Sequence, residues 1–238
     1  MNRSLAYLTL ALSLAFAAAP LFSGDFTGFA ENQLPVPQID PPVQPAGYAF
    51  SIWGLIYAWL VAAAVYGLIY KADDPDWNAA RVPLCVSLGV GVPWLLIAQI
   101  SAIWATITIF IMAAAAIAAL HRTPAIENWW MRAPIALYAG WLTAASFVSL
   151  ATTLAGYGIL MGGYGWAFAG IAGALIVAVL TYRRTTTPLY LGAVIWALVG
   201  IVVNNGMTNF LVTALAITGI VTLICVMAVW APRPNPIS

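Results

Sequence analysis

Between Val82 and Leu120 the chain runs for 39 residues without one charged side chain. As a single helix that run would extend ~58 Å, nearly twice the ~30 Å hydrocarbon core of a bilayer. It is too long for one crossing and too apolar to face water. It must fold back, and the sequence predicts the turn near Ser101, although neither Gly nor Pro marks it. The rest of the chain has the same character. Of 238 residues, 63% are hydrophobic and only 6% are charged. A soluble domain carries ~25% charged residues, so the solvent of this chain is mostly lipid. Helices and closed barrels satisfy every backbone group there. A barrel would read as short alternating segments of ~10 residues. Long continuous apolar runs predict an all-α polytopic helix bundle.

Eight runs are long enough to span: Ser4–Ser23, Tyr48–Tyr70, Val82–Ile100, Ala102–Leu120, Ala133–Ala155, Gly158–Tyr182, Leu189–Val203 and Thr208–Trp230. Pro93 is expected to kink the third. Charge tests this count. With the N-terminus inside, Arg3, Lys71, Arg81, Arg122, Arg132, Arg183, Arg184 and Arg233 all fall in inner segments. The outer segments hold no Lys or Arg, as expected when positive charge stays cytoplasmic. The reading is eight helices with both termini cytoplasmic, a bias that suits a bacterial inner membrane. Arg3, an apolar stretch and Ala17-Ala18-Ala19 resemble a signal peptide. Pro20 is a poor residue after a cleavage site, so this segment is read as a retained helix.

The one long outer loop, Gly24–Gly47, carries five prolines and the acids Asp25, Glu31 and Asp40. Such a loop is stiff and extended, and loops of this length serve as lids as often as plain connectors. Pro232–Pro236 reads as part of a short disordered tail.

The missing chemistry narrows the function. No proposed span contains Asp, Glu, Lys, Arg or His. That argues against a proton pump, a voltage sensor and a proton-coupled transporter. Lys71 is the only lysine and lies in a loop, which excludes a retinal Schiff base in a helix core. His121 is the only histidine, and its place at a helix end argues against a haem ligand. Cys85 and Cys225 lack metal-ligand spacing and read as small buried hydrophobes. Asp73, Asp74 and Asp76, with Lys71 and Arg81, read as a solvated turn. A net charge of +1 gives no footprint for nucleic acid. Gln99, Ser146, Ser149, Thr152, Thr153, Asn204, Asn205 and Asn209 are neutral polar groups in or near spans, the usual glue between helices in lipid. Asn204-Asn205-Gly206 also reads as an outer turn.

Eleven tryptophans remain. Trp77, Trp129, Trp130 and Trp230 fall at inner boundaries, and Trp104 and Trp166 near outer ones, as an interfacial belt would place them. Trp59, Trp94, Trp141 and Trp196 lie deeper, where an indole N–H needs a partner. Beside Tyr57 and Tyr138 they suggest flat walls suited to a flat, mostly apolar ligand.

Three motifs carry a resemblance. Pro45-Ala46-Gly47-Tyr48-Ala49-Phe50-Ser51-Ile52-Trp53-Gly54-Leu55-Ile56-Tyr57 resembles the first loop and second helix of the tryptophan-rich sensory proteins. These are the translocator proteins, or peripheral benzodiazepine receptors (TspO/MBR). Pro93-Trp94 is similar to that family's third-helix motif, and Tyr138-Ala139-Gly140-Trp141-Leu142-Thr143-Ala144-Ala145 to its fifth-helix motif. The resemblance implies a five-helix core over residues 1–155, with an additional three-helix segment at 156–231 and a tail at 232–238. It implies a pocket for tetrapyrroles, sterols or synthetic aromatics, capped by the first loop. Trp53, Trp94, Tyr138, Trp141, Ala145 and Val148 would line it, Tyr57 would pack beside it, and Tyr48 and Phe50 would sit under the loop. The chain departs from the family's pattern at Gly91, Ala98, Gln99, Ala144 and Ser149.

The function expected is a membrane receptor or carrier for a hydrophobic aromatic ligand such as a porphyrin. No catalytic residue, metal or cofactor is expected. The partners are the bilayer, the ligand and, as a candidate, a second copy of the chain. A transporter or channel for a small neutral solute is the alternative, motivated by small-residue helices and the Asn204, Asn205 and Asn209 cluster. Porphyrin degradation is a second alternative, with no acid, base or nucleophile in a span to support it.

Overall fold

The computed structural model describes residues 3–24, 26, 28–30, 33–124 and 128–230. Asp25, Glu31, Arg233 and the tail at 232–238 lie outside the described residues. Eight helices are long and apolar enough to cross a membrane: α1 Ser4–Ser23, α2 Gly47–Tyr70, α3 Pro75–Ile100, α4 Ala102–His121, α5 Trp129–Gly156, α6 Gly163–Thr185, α7 Pro188–Asn205 and α8 Phe210–Val229. No strand occurs among the described residues.

Helix α5 forms the axis of the bundle. Of its most apolar stretch 78% is buried, against 22–50% for the other helices. Every residue from Ala133 to Ala144 is buried. It packs against α2, α4, α6 and α7, while α1 rests on α2 and α3, and α8 on α6 and α7. Lipid tails are as apolar as leucine, so helices associate in a bilayer through close packing and interhelical hydrogen bonds. Both are present. Gly140 lies so close to α7 that a Cβ there would come 2.2 Å from the Tyr190 carbonyl oxygen. A Cβ on Gly170 of α6 would come 3.1 Å from the Phe147 carbonyl oxygen of α5. Thr143 and Tyr190 share a hydroxyl–hydroxyl bond of 2.8 Å between α5 and α7. Tyr138 Oη lies 2.9 Å from Ser87 Oγ, and the Ser87 hydroxyl also bonds the Met112 carbonyl.

The turn at Ser101 is explained by capping. Ser101 is extended (φ −150°, ψ 114°), and its hydroxyl oxygen accepts from the Trp104 N–H at 3.3 Å. A serine N-cap starts α4 at a turn that has neither glycine nor proline. Pro93 breaks the regular helix between Gly91 and Trp94. The first span packs into the bundle through Phe16, which is buried edge-on against Trp53, Tyr57 and Tyr138. Gly91 leaves room for it, since a Cβ there would meet the Phe16 ring at 2.7 Å.

Three expectations are corrected. Helix α3 begins at Pro75 rather than Val82, because Asp74 caps it by accepting from the Asp76 and Trp77 N–H groups. Trp77 and Arg81 therefore pack inside the bundle rather than facing lipid or water; each is only 3% exposed. The Arg81 guanidinium donates to the carbonyls of Gly67 (2.7 Å), Lys71 (3.0 Å) and Ala72 (3.2 Å) and to Asn78 Oδ1 (2.8 Å). These carbonyls belong to the last turn of α2 and the turn that follows it, and a cation there also complements the helix dipole. Finally, Cys85 is buried but Cys225 is exposed on the outer face of α8.

Cross-links identify the two ends of the bundle. At one end Arg3 pairs with Asp73 (3.0 Å), and Arg132 donates to Thr123 and to the Thr185 and Thr187 turn. At the other end the first loop meets the ends of α3, α5 and α7.

The Gly140 contact is the sharpest test of this packing. Gly140→Ala must push α7 away from α5, and overpacking of this kind costs about 1–3 kcal/mol or more. A clear fall in the melting temperature of the purified protein is expected. An unchanged melting temperature would mean that α5 and α7 do not meet this closely.

Candidate functional site

The first loop closes the end of the bundle opposite the basic residues. Five hydrogen bonds hold it down. The Gln33 side-chain amide donates to the carbonyls of Ala98 (2.8 Å) and Gln99 (2.7 Å) at the end of α3. The Val36 N–H donates to the Gly156 carbonyl of α5 (2.8 Å). The Ala46 N–H donates to the Gly200 carbonyl of α7 (3.0 Å), and the Asn205 side chain donates to the Pro42 carbonyl (2.8 Å). Just inside α2, Trp196 Nε1 donates to the Ala49 carbonyl (2.9 Å). Leu34 and Val43 are buried beneath the loop. Glycines make the fit possible: a Cβ on Gly156 would strike Leu34, and one on Gly200 would strike Pro45.

Under this loop lies a cavity between α2, α3, α4, α5 and α7. It encloses a free volume of about 60 Å³, within about 650 Å³ of space between atoms that includes its open mouth. Its walls are aromatic. Trp53 and Phe50 come from α2, Trp94 from α3 and Trp141 from α5, with Phe26 and Phe29 above them from the loop. Trp141 stands edge-on to Phe50 (5.9 Å) and Trp53 (6.2 Å), and Phe26 stands edge-on to Trp94 (5.2 Å). Such edge-to-face pairs are favoured by the ring quadrupoles and hold the walls in fixed orientations. Trp94 is further fixed because its Nε1 donates to the Ala105 carbonyl at 3.0 Å. Among the described residues, no charged one lines the cavity.

The residues singled out from the sequence divide into two groups. Phe50, Trp53, Trp94, Trp141, Ala145 and Val148 come together on the cavity wall. Tyr57 lines a neighbouring opening with Pro20, Trp53, Trp94 and Leu95. Tyr138 is fully buried behind Trp53 and does not reach the cavity. Tyr48 is 44% exposed and stands edge-on to Trp196 outside it.

The wall also contains residues that the motifs did not single out as pocket residues. Ala144, Ser149 and Thr152 continue the α5 face set by Trp141, Ala145 and Val148. The helical period would have found them, since 141, 144, 145, 148, 149 and 152 share one face. Ala144 is one of the family departures, and its small side chain leaves room in the cavity. Ile109 of α4 and Ala197 of α7 complete the wall, as do Gln44 and Pro45 of the loop. No local signal marks these residues, because only the packing of α4, α7 and the loop brings them here.

A multi-pass helical bundle with a loop-capped apolar cavity is built as a receptor- or transporter-type membrane protein. The family model described as TSPO-like protein matches residues 3–230 and so runs through all eight helices. The chain belongs to that family. No curated protein and no solved structure matches it.

The clamp on the loop is open to test. Asn205→Ala removes the bond to Pro42, a loss of about 0.5–1.5 kcal/mol if water replaces it. Amide hydrogen exchange at Gln44 and Ala46 is expected to accelerate several-fold while exchange in α5 stays unchanged. Equal protection in both proteins would show that α7 does not hold the loop.

Proposed function

We propose that this protein is a membrane receptor or carrier for a hydrophobic aromatic ligand, with tetrapyrroles as the leading class. The observation that carries the reading is the uncharged cavity walled by Trp53, Trp94 and Trp141 under a tethered loop. Ligand sites are usually concave, apolar and largely formed in advance, with few polar groups. Flat rings would stack on the indoles, and Phe26 and Phe29 would move aside to admit them. The chemistry is binding and gating, since no described wall residue is an acid or a base. The Asn cluster that suggested a path for neutral solutes has other duties. Asn205 holds Pro42 and the Ile201 carbonyl, Asn209 donates to Asn205, and Tyr164 donates to Asn209.

The test is intrinsic tryptophan fluorescence of the purified protein titrated with protoporphyrin IX. Saturable quenching at micromolar ligand is expected, weakened about tenfold in Trp141→Phe. Linear quenching, equal in wild type and variant, would indicate partitioning into the lipid or detergent and would overturn the reading.

A further inference from the structure

The charges of the chain divide unevenly. Every Asp and Glu lies at or before Glu127, and the sequence after it carries Arg132, Arg183, Arg184 and Arg233 with no acid at all. Arg132 is spent on Thr123, Thr185 and Thr187. Arg183 and Arg184 lie in the last turn of α6 and are exposed. Neither guanidinium has a hydrogen bond or an ion pair among the described residues. Arg183 is nevertheless held in place. Its guanidinium carbon stands over the Trp230 ring just beyond α8, 5.0 Å from the centroid. Stacking of this kind fixes the cation on the ring face and leaves its N–H groups free. The Trp230 indole N–H also has no partner among the described residues.

Trp230 also closes one end of a furrow along the outer face of α8, with a free volume of about 470 Å³. Its walls include Ile217, Val221, Val226 and Val229. Thr218 and Thr222 lie in it too, but they donate their hydroxyls to the Ala214 and Thr218 carbonyls at 2.8 Å, so their methyl groups are what the furrow presents. From Ile217 to Trp230 it runs ~20 Å, enough to cross the ~15 Å of hydrocarbon in one leaflet. We infer that α6 and α8 hold one anionic phospholipid, with its phosphate on Arg183 and the Trp230 N–H and an acyl chain along the furrow. The site is separate from the cavity under the first loop. A phosphate accepts from both free donors, and a guanidinium fork suits its oxygens. A zwitterionic headgroup would bring a cation beside Arg183, with no carboxylate on α5, α6, α7 or α8 to receive it. A second copy of the chain on this face would meet the same difficulty. In the same bilayer orientation its own arginine pair would come to the same depth, again with no acid on those helices to offset it. Basic sites between helices at one leaflet recognise anionic headgroups on these terms.

The experiment is native mass spectrometry of the full-length protein titrated with palmitoyl-oleoyl phosphatidylglycerol or phosphatidylcholine. The first phosphatidylglycerol is expected to bind about fivefold more tightly than the first phosphatidylcholine. Arg183→Gln should erase that preference. Arg184→Gln, which removes the same charge one residue further on, should keep it. Cys225→Trp fills the furrow from an exposed position. It should weaken phosphatidylglycerol severalfold and leave the melting temperature of the lipid-free protein unchanged. Glycerol phosphate, a headgroup without chains, should not compete even in large excess. Equal binding of the two lipids to the wild type would overturn the inference. So would an equal loss in both glutamine variants, which would show diffuse attraction to a basic surface. Competition by glycerol phosphate would indicate an anion site that needs no lipid, against the inference. A dimer whose copies cross-link through Cys225 would show that a second copy covers the furrow, and the lipid site would fall.

Discussion

Helix α5 can sit at the centre of eight helices only because much of its surface is small. In a bilayer no water drives helices together, so an inner helix is held by contact and by hydrogen bonds across its interfaces. Gly140 lets the backbone of α7 approach, Gly170 of α6 does the same from another side, and Thr143, Ser146, Ser149 and Thr153 use their hydroxyls in the α5 interfaces or along its own backbone. Another face of α5 opens on the cavity. There α5 presents Trp141 at one end, Thr152 at the other and small or apolar side chains between. The cavity is thus a consequence of how α5 is packed elsewhere.

The first loop depends on the same arrangement. Its carbonyl and amide groups are tied to the ends of α3, α5 and α7, and its buried side chains sit on those helices. A proline-rich segment has few amide donors of its own, so outside partners matter more to it than to an ordinary loop. Helix α7 contributes Gly200, Asn205 and Trp196 to the tether and Ala197 to the cavity wall. Helix α7 therefore helps to form the cavity as well as to cover α5.

The sequence departures fit this packing. Gly91 admits Phe16 of α1, Gln99 spends its amide on the Ser23 carbonyl, Ser149 joins the Thr106 pair, and Ala144 leaves space in the cavity. Each is small or polar at a place where another helix or the cavity comes close.

Apolar run length, together with scarce charge, determined the number of helices, because a span must be about twenty residues long and cannot carry unpaired charge. The turn at Ser101 followed from length alone, and its serine cap emerged only from the structure. Six of the nine proposed site residues meet on the cavity wall, since motif spacing on α2, α3 and α5 places them on helix faces. Tertiary structure decided what spacing could not. Tyr138 turned inward to Ser87 and Tyr48 outward to Trp196. Arg81 was buried because the carbonyls at the end of α2 and in the following turn could hold it, a partnership that no local pattern records. The contributions of α4 and α7 to the cavity wall likewise arise from contacts between segments far apart in the chain. Periodicity gives the face of a helix, but only packing decides what that face meets.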